Sequence, residues 1–137
     1  MLSRRTTSTI DKDKVAAAAA RERRSCVSYA PQLDSFQADL RRARVVPPGE
    51  VPPDMITMNS RFAVVDPQGD TAICYTLVYP EEEAPREGKL SVLSPMGMAL
   101  LGARVGDEVC WMSNDGPRLG RVRHLPYQPE AARDFHL

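Results

Sequence analysis

The stretch Leu93-Ser94-Pro95-Met96-Gly97-Met98-Ala99-Leu100-Leu101-Gly102-Ala103-Arg104-Val105-Gly106-Asp107-Glu108-Val109 decides how the chain is read. Serine is a favoured helix N-cap, and proline fits the first helical position, where its missing N–H costs nothing. Gly102 suits the left-handed residue that ends a helix. Leu100 and Leu101 are the side chains that would pack this short helix on a sheet, and Gly97 predicts a low, unobstructed surface on its first turn. Met96, Gly97 and Met98 can serve as part of a core helix or as an apolar shelf for a partner's helices, to which methionine adapts well.

Outward from this helix the apolar period is two. Over residues 55–65, Ile56, Met58, Phe62 and Val64 alternate with Thr57, Asn59 and Arg61, which predicts a strand. Asp66-Pro67-Gln68-Gly69-Asp70 reads as a turn, and residues 71–79 as a second strand with Ile73, Tyr75, Leu77 and Tyr79 on one face. Residues 80–88 form a charged loop, 89–93 a short strand, 108–112 a strand, and about 119–125 the last strand before a tail. The order β-β-β-α-β-β predicts an α+β fold, with one short helix on an antiparallel sheet.

Before residue 52 the pattern is helical. Residues 8–24 hold the alanine run Ala16 to Ala20 and end on Arg21, Arg23 and Arg24, which complement the helix dipole. Residues 33–44 place Leu33, Phe36, Leu40 and Ala43 on one face, and 25–32, with Pro31, break the two helices. Such a pair predicts an antiparallel helical hairpin whose thin apolar stripe leaves it to lean on the rest of the protein or stay mobile. Pro47, Pro48, Gly49, Pro52 and Pro53 make a stiff linker. The boundary falls there, giving a hairpin over 1–51 and a sheet domain over 52–137.

The 137 residues are close to the usual size of one domain, and 42% apolar content can build a core. Eighteen basic residues balance eighteen acidic ones, which argues against a purely electrostatic nucleic-acid binder. The balance hides a dipole: residues 1–52 carry ten basic and six acidic groups, net +4, and residues 53–137 carry eight and twelve, net −4. No apolar run reaches the roughly 20 residues of a membrane helix. Arg4-Arg5 superficially resembles a signal peptide, but the charged residues 11–14 interrupt it and the apolar run behind them is too short, so no export signal is predicted.

Catalytic and metal signatures are absent from the sequence. Cys26, Cys74 and Cys110 are widely spaced and odd in number, and are read as reduced, buried thiols in a cytoplasmic protein. No nucleophile motif surrounds a serine; His124 is expected to be a half-buried strand residue and His136 to be solvated. Glu81-Glu82-Glu83 is a solvated run or at most a weak divalent-ion contact. Phosphate-binding glycine loops are missing. No catalytic residue, metal or cofactor is therefore assigned.

The segment S-P-M-G-M-A-L-L-G-A-R-V-G-D-E-V, preceded by Y-T-L-V-Y-P, resembles the C-terminal domain of the Gre transcript-cleavage factors. With M-I-T-M-N-S-R at 55–61 and Y-Q-P-E-A-A at 127–132 it resembles still more closely the small Rnk-type regulators of nucleoside diphosphate kinase within that family. The resemblance is specific over 52–137 and only architectural over 1–51. It implies an FKBP-like domain that docks on the coiled coil near the secondary channel of bacterial RNA polymerase. The matching docking positions are Ser94, Pro95, Met96, Gly97 and Met98. Gre factors also insert a long helical hairpin whose acidic tip helps to hold a catalytic Mg²⁺.

Here the predicted helices of about 11 to 17 residues span only roughly 17–25 Å. The connection Ser25-Cys26-Val27-Ser28-Tyr29-Ala30-Pro31-Gln32 contains no carboxylate, and Asp34 is the nearest one. The expectation is a non-catalytic polymerase-binding regulator without transcript cleavage, near DNA or RNA only through polymerase, and with no membrane contact. The alternatives are an adaptor acting on nucleoside diphosphate kinase and an FKBP-like prolyl isomerase. The second lacks support, since eight aromatics dispersed along the chain do not predict an aromatic-lined pocket.

Overall fold

In the computed structural model of the chain, residues 6–25, 30–67, 69 and 71–133 are described. A short strand β1 (Thr6–Ser8) leads into helix α1 (Thr9–Ser25); helix α2 (Ala30–Arg42) returns to strand β2 (Arg44–Val46). β1 and β2 pair in parallel, from Thr6 opposite Arg44 to Ser8 opposite Val46, and tie the base of the hairpin. This pair escapes a sequence reading because three residues are too few to show a period. α2 starts at Ala30, three residues before its apolar stripe, because Pro31 is tolerated in a helix's first turn. Cys26 and the rest of the connection 26–29 lie outside the described residues, as do part of the turn after β3 and His136.

The sheet has the order β5-β4-β3-β7-β6, built from β3 (Arg61–Val65), β4 (Ala72–Val78), β5 (Lys89–Ser91), β6 (Glu108–Ser113) and β7 (Gly116–Tyr127). Helix α3 (Pro95–Leu100) follows β5, and a single turn, α4 (Pro129–Ala132), follows β7. The α+β class agrees with the sequence, but the sheet is mixed rather than wholly antiparallel. β5 runs parallel to β4, because two proline-led 3₁₀ turns, Pro80–Glu82 and Pro85–Glu87, carry the chain back along the sheet.

The strand expected over 55–65 is regular only from Arg61. Before it, Asn59 takes the left-handed conformation (φ 66°) and the hydroxyls of Thr57 and Ser60 bond each other at 2.9 Å. Local bonds of this kind compete with a strand ladder.

One core joins hairpin and sheet. Val15, Ala19, Leu33, Phe36 and Leu40 from the hairpin belong to the same buried cluster as Met58, Phe62, Val64, Leu77, Leu100 and Val122. The hairpin therefore leans on the sheet. The two described cysteines are corrected from buried to exposed: Cys74 lies in the exposed first half of β4, and Cys110 follows the buried Val109 on the opposite side of β6. His124 is likewise exposed rather than half-buried.

Candidate functional site

The turn into α3 is built as its sequence specifies. Ser94 Oγ accepts the N–H of Gly97 at 3.0 Å and donates to the Ser91 carbonyl at 2.7 Å, while Pro95 takes the first helical position. Ser91 Oγ accepts the N–H of Leu93 at 3.1 Å, so the approach to the turn is fixed as well. Gly102 closes the segment with φ 88° and donates to Ile56 O at 2.9 Å.

The five expected docking residues divide into two groups. Pro95 is exposed, and Ser94 and Met96 are half-exposed. Gly97 and Met98 face inward; Met98 is 7% exposed and part of the core. Gly97 is small for an internal reason: a Cβ there would stand 2.1 Å from Ser91 O and 2.9 Å from Val92 Cα. The apolar shelf read from Met96, Gly97 and Met98 is thus corrected to Met96 alone, and of the five docking positions only Ser94, Pro95 and Met96 reach the surface, with Gly97 letting the helix sit tightly on the end of β5.

Two other quoted stretches hold this segment in place, which their separation in sequence did not reveal. Ile56 N–H donates to Ala103 O at 2.8 Å, and Val105 N–H donates to Asp54 O at 2.9 Å. Arg104 and Asp54 add an exposed ion pair at 2.7 Å. The strip 52–56 is held in turn by Gln128, which is buried and donates through Nε2 to Pro52 O at 2.7 Å and Met55 O at 2.6 Å. The other end of that amide accepts the Ala131 N–H at 3.1 Å and caps α4. Glu130 accepts from Thr57 Oγ1 at 2.7 Å. M-I-T-M-N-S-R, the stretch Gly102–Val105 that follows α3, and Y-Q-P-E-A-A therefore form one hydrogen-bonded unit.

The hairpin joins this unit through Asp11, which is 4% exposed and accepts the Met58 N–H at 3.0 Å. Lys14 Nζ lies 6.0 Å above the ring of Tyr79. An open cleft of about 470 Å³ lies between α1 and the β4 end, lined by Lys14, Ala17, Arg21, Asn59, Tyr79, Glu81 and Glu82. Among the described residues, the Tyr79 hydroxyl is buried without a hydrogen-bond partner. Burial first, and then the negative charges of Asp11, Glu82, Glu130 and Glu81, push its pKa well above the usual phenol value.

Among the described residues no three His, Cys, Asp or Glu side chains are grouped to hold a metal ion. Nor is any described helix long and apolar enough to cross a membrane.

A helical hairpin seated on a five-stranded α+β domain, with a serine-capped, proline-led turn at its surface, defines the class of molecule. Residues 51–122 match the family described as "Transcription elongation factor, GreA/GreB, C-term". The chain is 42% identical over 108 residues to the "Regulator of nucleoside diphosphate kinase" of Escherichia coli K12, covering 78% of this chain and 79% of that one. It is 31% identical over 96 residues to the "Transcription elongation factor GreA" of Syntrophotalea carbinolica, covering 70% of this chain but 61% of the relative. Among solved structures, the "Prokaryotic transcription elongation factor GreA/GreB from Nitrosomonas europaea" superposes with a TM-score of 0.75 at 32% identity, over 92% of this chain and 100% of that one. The chain belongs to the GreA/GreB transcription elongation factor family.

Proposed function

We propose that this chain is a regulator that binds bacterial RNA polymerase at the secondary-channel entrance and does not cleave transcripts. The observation that carries the reading is the turn Ser94-Pro95-Met96, rigidly capped and exposed at Pro95, in a member of the GreA/GreB family. A pre-formed turn loses little conformational freedom on docking, which favours its use as a contact. The hairpin supports the second half of the reading. Its helices of 17 and 13 residues reach only about 20–25 Å at 1.5 Å per residue. Its connection, residues 26–29, is Cys-Val-Ser-Tyr, with no carboxylate to share in holding Mg²⁺. The protein then acts in the cytoplasm by occupying a site for which cleavage factors compete.

The test is capture of purified core polymerase by the tagged chain, with a Gre factor as competitor, followed by a cleavage assay on backtracked complexes. Binding that the Gre factor displaces, lost in Pro95→Glu, with no RNA shortening, is the expected result. RNA trimming by the chain alone, or no binding to polymerase, overturns the proposal.

A second reading has its own observation, the 42% identity to a regulator of nucleoside diphosphate kinase. In that reading the chain touches the kinase itself. Calorimetric titration of the purified kinase decides it, and a blank titration leaves any effect on the kinase indirect.

A further inference from the structure

The ribbon formed by β6 and β7 has an inner and an outer face. Val109 and Val122 lie in the core, with Trp111 packed against it, in one cluster with Met98 and Leu100 of α3, so that helix is on the inner side. Side chains alternate along a strand, and the register from Glu108 opposite Arg121 to Ser113 opposite Gly116 runs without a shift. The outer face therefore carries three cross-strand pairs: Glu108 with Arg121, Cys110 with Leu119, and Met112 with Pro117. All six residues are exposed. Met112, at 62%, and Leu119, at 55%, are the two most exposed large apolar side chains among the described residues. They are diagonal neighbours, so their exposure makes one patch.

This surface is its own complement. Half a turn about an axis along the ribbon, between its two strands, lays each row on itself with the strands exchanged. Leu119 then meets Cys110 of a second copy and Met112 meets Pro117, so a large side chain stands over a small one at every apolar position. Two aligned sheets pack by such interdigitation, about 10 Å apart. The charged row matches in the same rotation, with Glu108 facing the partner's Arg121 and Arg121 the partner's Glu108. Within one copy these two side chains already pair at 3.0 Å and are each half exposed. At the rim of a contact they complete a ring of alternating sign. A partner of a single sign meets one attraction and one repulsion there, so charge complementarity favours a second copy.

We propose that this face is a homodimer interface, in which two copies pack their β6–β7 ribbons face to face about a two-fold axis along the strands. The contact is isologous, with the same patch used on both copies, as closed dimers require. Cys110, Met112, Pro117 and Leu119 form its apolar centre, and the Glu108–Arg121 pairs its charged rim. Because α3 packs on the inner side, the Ser94 turn stays open, and the dimer displays two such turns.

The test is sedimentation velocity of the full chain over a range of concentrations, where a monomer–dimer equilibrium is expected. Leu119→Lys and Met112→Lys replace exposed side chains, so the fold should be kept by circular dichroism while the dimer weakens about tenfold or more. Glu108→Arg sets two guanidinium groups against each other across the contact, and Arg121→Glu sets two carboxylates. Each alone should weaken the dimer by a similar factor at low salt. An equimolar mixture of these two single variants should recover it, because each copy then meets the opposite sign, whereas the repulsion inside each copy is unchanged. A monomer at every concentration overturns the proposal. So does a dimer indifferent to Leu119→Lys, or a mixture that associates no more tightly than either charge variant alone.

Discussion

Replacing Gln128 tests whether the 127–132 stretch holds the strip 52–56, and through it the segment after α3, in place. In Gln128→Ala, Pro52 O and Met55 O lose their donors, made at 2.7 and 2.6 Å, and the Ala131 N–H loses its acceptor at 3.1 Å. Each buried amide bond contributes about 1 kcal/mol net, more where a carbonyl is left unpaired, and a lost N-cap costs about 1 kcal/mol. The sum is roughly 3 kcal/mol, and for a domain of this size melting should fall by roughly 10 °C. Gln128→Glu sharpens the test, because it keeps the cap acceptor and replaces two donors by a carboxylate aimed at two carbonyl oxygens. The folded state then prefers the protonated acid, so the folded pKa of that residue lies above the unfolded value. The variant should regain stability as pH falls from 7 toward 5 and lose it again as pH rises. Urea and thermal melts at both pH values read this directly. A loss below about 0.5 kcal/mol in Gln128→Ala, or a pH-independent Gln128→Glu, would refute the assigned role.

Three further changes probe the same framework. Tyr79→Phe removes a buried hydroxyl that has no partner, and should stabilise by about 1 kcal/mol in urea melts. The raised phenol pKa adds a pH signature: the unfolded state ionises near pH ~10 while the folded state stays neutral, so the wild type weakens as pH rises beyond that point and the Phe variant does not. Gly97→Ala drives a Cβ to 2.1 Å from Ser91 O; a loss of about 3 kcal/mol or a displaced turn is expected, visible as a lower melting point and as weaker polymerase capture. Asp11→Ala leaves the buried Met58 N–H without its acceptor, and should cost about 2 kcal/mol and speed proteolysis within α1.

Much of this arrangement is legible in the sequence wherever a local rule acts. Ser94, Pro95 and Gly102 announce the helix and both its ends, and the structure places all three as capping chemistry requires. The α+β class follows from the change of period at the proline-rich linker. What stays hidden depends on contacts distant along the chain. Nothing near Gln128 says that its amide reaches Pro52 and Met55, residues 76 and 73 positions away. Gly97 and Met98 stay ambiguous in the sequence, because a small residue and a flexible one serve a partner or a core equally well. Only the approach of Ser91 to Gly97 decides between them. Cys74 and Cys110 mislead for a related reason: apolar runs on a one-sided sheet alternate between core and solvent, and an exposed thiol there carries the same signature as a buried one.

The hairpin itself raises a question of purpose if it does no cutting. Val15 and Leu33 are both fully buried, and Phe36 and Leu40 nearly so, within a cluster that continues into Met58, Leu77 and Tyr79. Asp11 and Lys14 extend the joint with a hydrogen bond to Met58 and a cation above Tyr79. Residues that order the 57–60 turn thus also receive α1, and that turn is bonded through Thr57 to Glu130 beside Gln128. The hairpin is therefore expected to act as a structural cover for the sheet domain, and to unfold with it. A chain starting at residue 47 tests this. Each buried aliphatic or aromatic side chain that loses its cover forfeits about 1.5–3 kcal/mol, so exposing even three or four of the joint's residues would remove most of the usual 5–15 kcal/mol of a domain's stability. The truncated chain should bind a hydrophobic dye and show a depressed, broadened urea transition. If it melted as sharply and at the same midpoint as the full chain, the two parts would be independent units, and the hairpin's role would lie in what it touches beyond this molecule.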